Sequence, residues 1–327
     1  MFKAAIIGLG NIGSLFDEDP KRKEVWSHTG AYLMTPNIEV VAGADTDMDK
    51  LERFSKRCPG TKLYRDYVEM LDDNYLDIVS ICSPTASHFE ILLRAVESNI
   101  KAIFCEKPIA THTDDARKMV NICKKKKVTL AINHTRRWDL NYIRVNEYVS
   151  EGEIGELRSI IGNYSDKVFM VGTHLIDMFG FYCGDVDWVM GAGEKLESDD
   201  PGISGLLSFK NGGRGFIICS GRRENLVFEI DLIGTRGRIR ILDNGHRTEL
   251  FRFEESDRYS GYKELKRQPS PVIMSGESRL VLAIKDIIQC IETGAKPLCS
   301  GEDGLKSLEI ASALCRSAKN NNKKIRF

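Results

Sequence analysis

The 327-residue chain has no excess of charge of either sign, since Lys plus Arg and Asp plus Glu each number 47. No broad field would draw it to nucleic acid or to an anionic membrane, so a small molecule is the expected partner. Long apolar runs are missing too, and none approaches the ~18 residues that a spanning helix needs. The opening Met1-Phe2-Lys3 leads straight into a strand-like run rather than a cationic stretch with a cleavage site. A cytoplasmic protein with no membrane partner is the expectation. C-x-x-C pairs are absent: nine cysteines, an odd number, lie scattered from Cys58 to Cys315 without histidines at metal-ligand spacing. They are expected as buried free thiols, and no metal site is expected.

What is present is most concentrated at the start. The apolar run Lys3-Ala4-Ala5-Ile6-Ile7 opens into Gly8-Leu9-Gly10-Asn11-Ile12-Gly13. Glycines at this spacing allow a tight turn, close approach of a pyrophosphate to the main chain and close packing of a following helix. A second apolar run, 38–44, ends on Asp45, which is placed to accept hydrogen bonds from ribose hydroxyls and to disfavour a 2′-phosphate. NAD is therefore the expected cofactor, with NADP as the alternative, and the ribose role of Asp45 is favoured over its capping the helix that starts near Asp47. Asp45 lies 32 positions beyond Gly13, against about 20 in the simplest dinucleotide fingerprint. The surplus falls in the charged segment Phe16–Glu24, expected to break the first helix and loop beside the cofactor cleft.

Residues 1–133 alternate β-rich runs (2–7, 38–44, 62–64, 77–82, 102–106, 128–132) with amphipathic helical patterns, as in a doubly wound parallel sheet. After about residue 134 the pattern changes to strand runs at 157–164, 203–209, 214–220, 227–233, 237–242 and 248–254, joined by turns such as Asn211-Gly212 and Asn244-Gly245. Helical stretches fall at 137–150, 174–183, 277–293 and 302–318. The expected fold is α/β: an N-terminal Rossmann domain (1–133) and a C-terminal α+β domain (134–327) with a largely antiparallel open sheet. Lys124–Lys127 reads as a solvated helix end complementing the macrodipole, not a nucleic-acid contact.

Six landmarks stand in order: the glycine loop, Ser83-Pro84-Thr85 with His88, Glu106-Lys107-Pro108, Asn133-His134-Thr135-Arg136-Arg137-Trp138, Gly152-Glu153-Ile154-Gly155, and Gly172-Thr173-His174-Leu175-Ile176-Asp177. Together they resemble the glucose-fructose oxidoreductase, inositol dehydrogenase and MocA family over about residues 1–190. The resemblance implies an NAD(P)-dependent oxidoreductase acting on a secondary alcohol or ketone of a sugar, sugar nucleotide or cyclitol. It further implies a homo-oligomer, dimer or tetramer, assembled through the open sheet.

Carried onto matching positions, the resemblance places Lys107 near the nicotinamide and the reacting oxygen, with His174 as the acid/base and Asp177 able to orient its ring. Gly8, Gly10, Asn11, Ile12, Gly13, Asp45, Ser83, Pro84, Thr85, His88, Glu106 and Lys107 are expected around the cofactor. Asn133, Arg137, Trp138, Tyr164 and His174 are expected at the substrate, where Arg137 suits an anionic group and Trp138 a sugar face. His28, with these, hints at an anionic or nucleotide-linked substrate.

One position departs from the family pattern. Many members carry an aspartate four residues before this histidine, and here Met170 stands there. A thioether cannot take the substrate proton, so Lys107 and His174 suffice, or Tyr164 or Asp166 substitutes, or the chain is a non-catalytic NAD(P)-binding regulator. A reductase of a non-sugar substrate such as a linear tetrapyrrole is a further alternative without a dedicated residue signal.

Overall fold

The computed structural model describes residues 1–193, 196–222, 224–270 and 276–327. The chain folds as two units, Met1–Asp139 with Gly276–Leu305, and Leu140–Ser275 with Lys306–Phe327.

In the first unit β1 (Phe2–Ile7), α1 (His28–Met34), β2 (Ile38–Ala44), α2 (Met48–Arg57), β3 (Lys62–Tyr64), α3 (Tyr67–Asp73), β4 (Ile78–Ile81), α4 (His88–Val96), β5 (Ala102–Cys105), α5 (Thr113–Lys126) and β6 (Thr129–Ile132) follow in order. The six strands pair in parallel in the order β3-β2-β1-β4-β5-β6. Every residue of β4 and β5 is buried, which explains why these strands read as continuous apolar runs without alternation. A parallel sheet puts all its carboxyl ends on one edge. The loops after β1, β2, β4, β5 and β6 therefore share that edge, where open α/β sheets bind ligands.

The long Gly13 to Asp45 interval has a simple structural cause. His28 N–H donates to Ile12 O (2.9 Å) and Thr29 N–H to Gly13 O (3.0 Å), a spacing of 16 where a continuous helix has 4. Twelve residues are thus looped out of an otherwise continuous helical ladder, and without them the interval would shorten from 32 to 20 positions, the fingerprint value. The looped segment forms a 3-10 turn, Leu15–Glu18. Asp17 anchors it by accepting from Trp26 N (2.6 Å), from Ser27 Oγ and from Arg57 Nη2 (2.8 Å). Ser27 caps the restarted helix by accepting from Gly30 N at 3.0 Å.

The second unit opens with α6 (Leu140–Ser150), β7 (Leu157–Tyr164), α7 (Thr173–Cys183), β8 (Val186–Gly193), β9 (Ile203–Phe209) and β10 (Arg214–Cys219). It continues with β11 (Phe228–Gly234), β12 (Gly237–Leu242), β13 (Arg247–Glu255) and β14 (Lys263–Gln268). After α8 (Arg279–Thr293) and α9 (Gly301–Lys319), β15 (Ile325–Arg326) completes a nine-stranded sheet, β14-β13-β12-β11-β7-β10-β9-β8-β15. All of its pairings are antiparallel except β10 with β7. The expected hairpin turns are present: Gly212 has φ +90°, Asn244 +53° and Gly245 +97°. Its core centres on Ile160, Leu175, Phe179, Leu207, Leu232 and Leu314, all fully buried.

Three details differ from the sequence expectation. Strands β8, β14 and β15 are additional to it, and β14 is an edge segment, Lys263-Glu264-Leu265-Lys266-Arg267-Gln268, that is polar apart from one leucine. The helix expected from residue 137 starts as a 3-10 turn, Thr135–Trp138, and becomes α-helical at Leu140. Finally, α8 packs with the first unit, its Leu280, Val281, Ala283, Ile284 and Ile287 buried, and Ser278 Oγ donates to Val25 O at 2.6 Å. The expected division at 133/134 follows chain order, whereas packing returns residues 276–305 to the first unit.

Because α1 is joined to the glycine turn by the hydrogen bonds of His28 and Thr29, excising residues 15–26 is expected to leave cooperative unfolding and far-UV dichroism in place. Denaturant titration should show a loss of no more than about 2 kcal/mol. Loss of the cooperative transition would show that the segment is part of the fold.

Candidate active site

At the carboxyl edge of the first sheet, Gly8 adopts φ +90° and its ideal Cβ would lie 2.5 Å from Ser83 N. A Cβ on Gly13 would lie 2.0 Å from Gly8 O. Both positions therefore admit only glycine, one for conformation and contact, the other for contact alone. Gly10 is different, because its Cβ would enter open space with nothing within 4 Å. The main chain at Gly10 is therefore open to the close approach of a group such as a diphosphate. Asn11 is exposed and Ile12 half-buried beside it.

Asp45 is tied into this turn. Its Oδ2 accepts from Leu9 N (2.7 Å) and its Oδ1 from Asp47 N (3.0 Å), with Lys50 Nζ 3.6 Å away. The cap of α2 is Asp47, which accepts from Asp49 N, so the capping alternative for Asp45 does not hold. Each Asp45 oxygen retains a second lone pair for a ribose hydroxyl.

The loop after β4 turns at Ser83-Pro84-Thr85, where Ser87 Oγ bonds Ser83 Oγ and Pro84 O at 2.8 Å. His88, expected at the cofactor, is instead buried and braces two loops, with Nε2 2.9 Å from Ser83 O and Nδ1 3.0 Å from Pro108 O. Burial lowers the pKa of its ring, against the pull of those carbonyls. Lys107 follows β5, is half-buried and joins Pro108 by a cis peptide bond.

Glu106, also expected at the cofactor, turns inward and is 7% exposed. Its carboxylate accepts from Asn133 Nδ2, lies 3.0 Å from His28 Nε2 and accepts from Lys107 N at 3.3 Å. His28 Nδ1 meets Ser80 Oγ at 2.8 Å, and Ser80 Oγ meets Tyr32 OH at 2.7 Å. Burial alone would raise the Glu106 carboxyl, but His28, Asn133 and the Lys107 charge outweigh it and hold its pKa low. His28 is fully buried in this network, which corrects the expectation that it meets an anionic substrate. Asn133 likewise reaches Glu106.

The residues after β6 also point into the protein. Trp138 is 1% exposed, donates Nε1 to Asp286 at 2.8 Å and stands edge-on to Phe104, so its faces cannot stack on a sugar. Arg137 is buried and donates to Leu298 O (3.3 Å) and Asp303 (3.4 Å). Burial, then the Lys107 and Arg137 charges, push His134 down to about 3.

In the second unit His174 is the second residue of α7, half-buried, and Asp177 one turn on is buried. A π-helical turn, Val168–Gly172, feeds that helix and contains Met170. Such turns recur at functional sites. Tyr164 does not replace the missing carboxylate: it is fully buried, with OH donating to Ile203 O (2.8 Å) and accepting from Ile203 N (3.0 Å). Asp166 is half-buried with φ +81°. Sequence reasoning missed Asp200, whose Oδ1 accepts from Phe169 N at 2.8 Å and whose carboxyl is raised by burial. It lies in a Ser-Asp-Asp-Pro loop with no periodic signal.

Two outcomes follow from this geometry. Gly10→Ala is expected to keep the wild-type melting temperature, since the added methyl meets nothing, yet to weaken NAD binding at least ~10-fold in a fluorescence titration; unchanged binding would contradict the cradle. His134 has an ordinary value of 6.5 and about 3 when folded, so its contribution is present above pH 6.5 and lost as pH falls toward 3. The slope is at most ~1.4 kcal/mol per pH unit. Denaturant titrations between pH 7 and 4 should show a flatter slope for His134→Gln, and an equal slope would contradict the burial assignment.

Comparison with known proteins agrees with this fold. A family model described as the oxidoreductase family (Gfo/Idh/MocA), NAD-binding Rossmann fold, matches residues 2–134, and that family's C-terminal alpha/beta domain matches residues 162–327. A myo-inositol 2-dehydrogenase of Thermotoga maritima is 27% identical over 96% of each chain. A D-apiose dehydrogenase of Paraburkholderia graminis is 26% identical over 97% of this chain and 88% of its own. Among solved structures, an Agrobacterium radiobacter oxidoreductase in complex with NAD+, L-tartaric acid and magnesium superposes with a TM-score of 0.80 at 21% identity, covering 99% and 98% of the two chains. The Bordetella pertussis WlbA dehydrogenase in complex with NADH and UDP-GlcNAcA gives 0.79 at 18% identity over 100% and 98%. With both domain models matched in order along nearly the whole length, the chain belongs to the Gfo/Idh/MocA family of oxidoreductases, and its first unit is an NAD-binding Rossmann domain.

Proposed function

We propose that this oxidoreductase is a dehydrogenase of a secondary hydroxyl on a sugar, sugar derivative or cyclitol, or works in the reverse direction on the matching ketone. The observation that carries the reading is the glycine cradle with Lys107 on the same carboxyl edge of the sheet. The names of the full-length relatives, inositol and apiose dehydrogenases, support the substrate class.

Bound NAD supplies the hydride acceptor. Within the proposal, the backbone of Gly8–Gly13 receives the diphosphate and Asp45 the adenosine ribose. Lys107 hydrogen-bonds the reacting oxygen and stabilises negative charge as it develops there. His174 exchanges the hydroxyl proton, a task suited to an imidazole because its ordinary pKa lies near neutrality. Asp177 orients the ring from the next turn of α7. The enzyme works in the cytoplasm as a homo-oligomer.

Lys107→Ala and His174→Ala are each expected to lower kcat at least ~100-fold with myo-inositol or D-apiose, while NAD binding stays within a few-fold of wild type. Full turnover in either variant would remove the residue from the chemistry. Met170 motivates a second reading, a non-catalytic NAD-binding regulator. Absorbance at the reduced-nicotinamide band with a panel of sugars, sugar nucleotides and inositols separates the two, because a regulator binds the cofactor and reduces it with none of them.

A further inference from the structure

The helical segment that carries His174 begins without a cap of its own. Its π-helical start, Val168–Gly172, follows Lys167, whose side chain has no acceptor, and Gly172, just before α7, has no side chain to offer one. The first N–H groups of a helix have no partner within it and need acceptors from elsewhere. Here the acceptors come from the loop that leads into β9. Asp200 Oδ1 accepts from Phe169 N, 31 positions away in sequence, at 2.8 Å, and Pro201 O accepts from Val168 N at 3.0 Å. Tyr164 OH adds a third point, donating to Ile203 O at 2.8 Å and accepting from Ile203 N at 3.0 Å.

Residues 200, 201 and 203 thus meet residues 169, 168 and 164 in reverse order, and all of them belong to the second unit. Asp200 is itself steadied, its N–H donating to Ser198 Oγ at 3.3 Å. The far side of the segment is gripped by the sheet: a Cβ on Gly162 of β7 would lie 2.6 Å from Leu175 and 2.8 Å from Phe179. Between the two grips Lys167 O accepts from both Val171 N (2.9 Å) and Gly172 N (3.1 Å), so the ladder slips from a step of four residues to one of five. One residue of helix is roughly 100° of rotation. How the turn is held at its start therefore bears on where the residues from Met170 to His174 face.

We propose that Asp200 is a positioning residue for His174: by taking the Phe169 N–H it holds the π-helical turn at its start and so sets the direction of the imidazole at the beginning of α7. The inference rests on the reading that His174 exchanges the substrate proton, and adds what aims it. Without the carboxylate, Pro201 O still serves Val168 and Tyr164 still serves Ile203, so the loop stays attached while the turn loses one acceptor. An amide oxygen at the same place accepts as a carboxylate oxygen does, so the role needs the acceptor and not the charge.

The test compares Asp200→Ala with Asp200→Asn in the full-length protein. The six histidines are followed by 13Cε1 NMR at one fixed pH, the His174 signal being the one lost in His174→Gln. Amide exchange is followed by mass spectrometry over residues 165–175. In Asp200→Ala the His174 signal is expected to move while the other five stay, and exchange across 168–173 is expected to quicken about 10-fold, the scale of losing a helix cap. With myo-inositol or D-apiose, kcat is expected to fall about 10-fold or more, as for a misaimed catalytic group, with KM for NAD within two-fold of wild type. Asp200→Asn is expected to restore all of these. An unmoved His174 signal in folded Asp200→Ala, or a displacement that Asp200→Asn fails to restore, overturns the proposal.

Should Asp200→Ala not fold, the wild-type protein supplies the measurement. The Phe169 amide is expected to exchange at least ~100-fold more slowly than an unstructured amide, and exchange at the unstructured rate overturns the proposal. The NMR and exchange readouts require no turnover, so failed positioning is distinguishable from failure of His174 in the chemistry, which shows as full turnover of His174→Ala.

Discussion

A carboxylate taken out of water near the end of β5 is the constraint on which the first unit's site depends. Glu106 can remain charged there only if donors reach it from several directions. Meeting that requirement brings together the start of α1, the end of β4, the loop after β6 and the backbone of Lys107. His88 adds a second brace between the loops that follow β4 and β5. The loops at this carboxyl edge are thus held by buried polar contacts beneath them, leaving the main chain at Gly10 open.

The second unit places His174 by a different route. Apolar packing of Leu175 and Phe179 against Gly162 on β7 seats α7 on the sheet, and the π-helical turn before it aims its first residues. Asp200 accepts from the backbone of that turn, a contact that offsets the cost of leaving a helix start without donor partners satisfied. Met170 sits in the same turn, and its thioether contributes bulk and cannot take a substrate proton.

Much of this was legible in the residue order. Short apolar runs located the six parallel strands, and the glycine spacing located the turn after β1. What escaped reading has physical causes. His28 and Glu106 are 78 residues apart, and no local pattern ties a histidine to a carboxylate at that distance. Trp138 and Tyr164 look like substrate contacts because each pairs an aromatic body with a polar tip, but each tip is satisfied inside a core, by Asp286 and by the Ile203 backbone. The strand β14 is polar because it lies at the sheet edge, and α8 belongs with the first unit because of what its apolar face covers. The 32-residue interval to Asp45 looked like a departure from the fingerprint, whereas the hydrogen bonds of His28 and Thr29 to Ile12 and Gly13 show 12 residues looped out between the glycine turn and α1.

The central claim is that one oxygen of the substrate is served by two side chains far apart in sequence, Lys107 and His174. A crystal structure with NAD+ and myo-inositol or D-apiose bound tests it most directly. The account requires Lys107 Nζ and a His174 ring nitrogen within about 3.2 Å of the same hydroxyl oxygen, on the carbon that faces the nicotinamide. A bound sugar whose facing hydroxyl touches neither, or a diphosphate seated away from Gly8–Gly13, would contradict it.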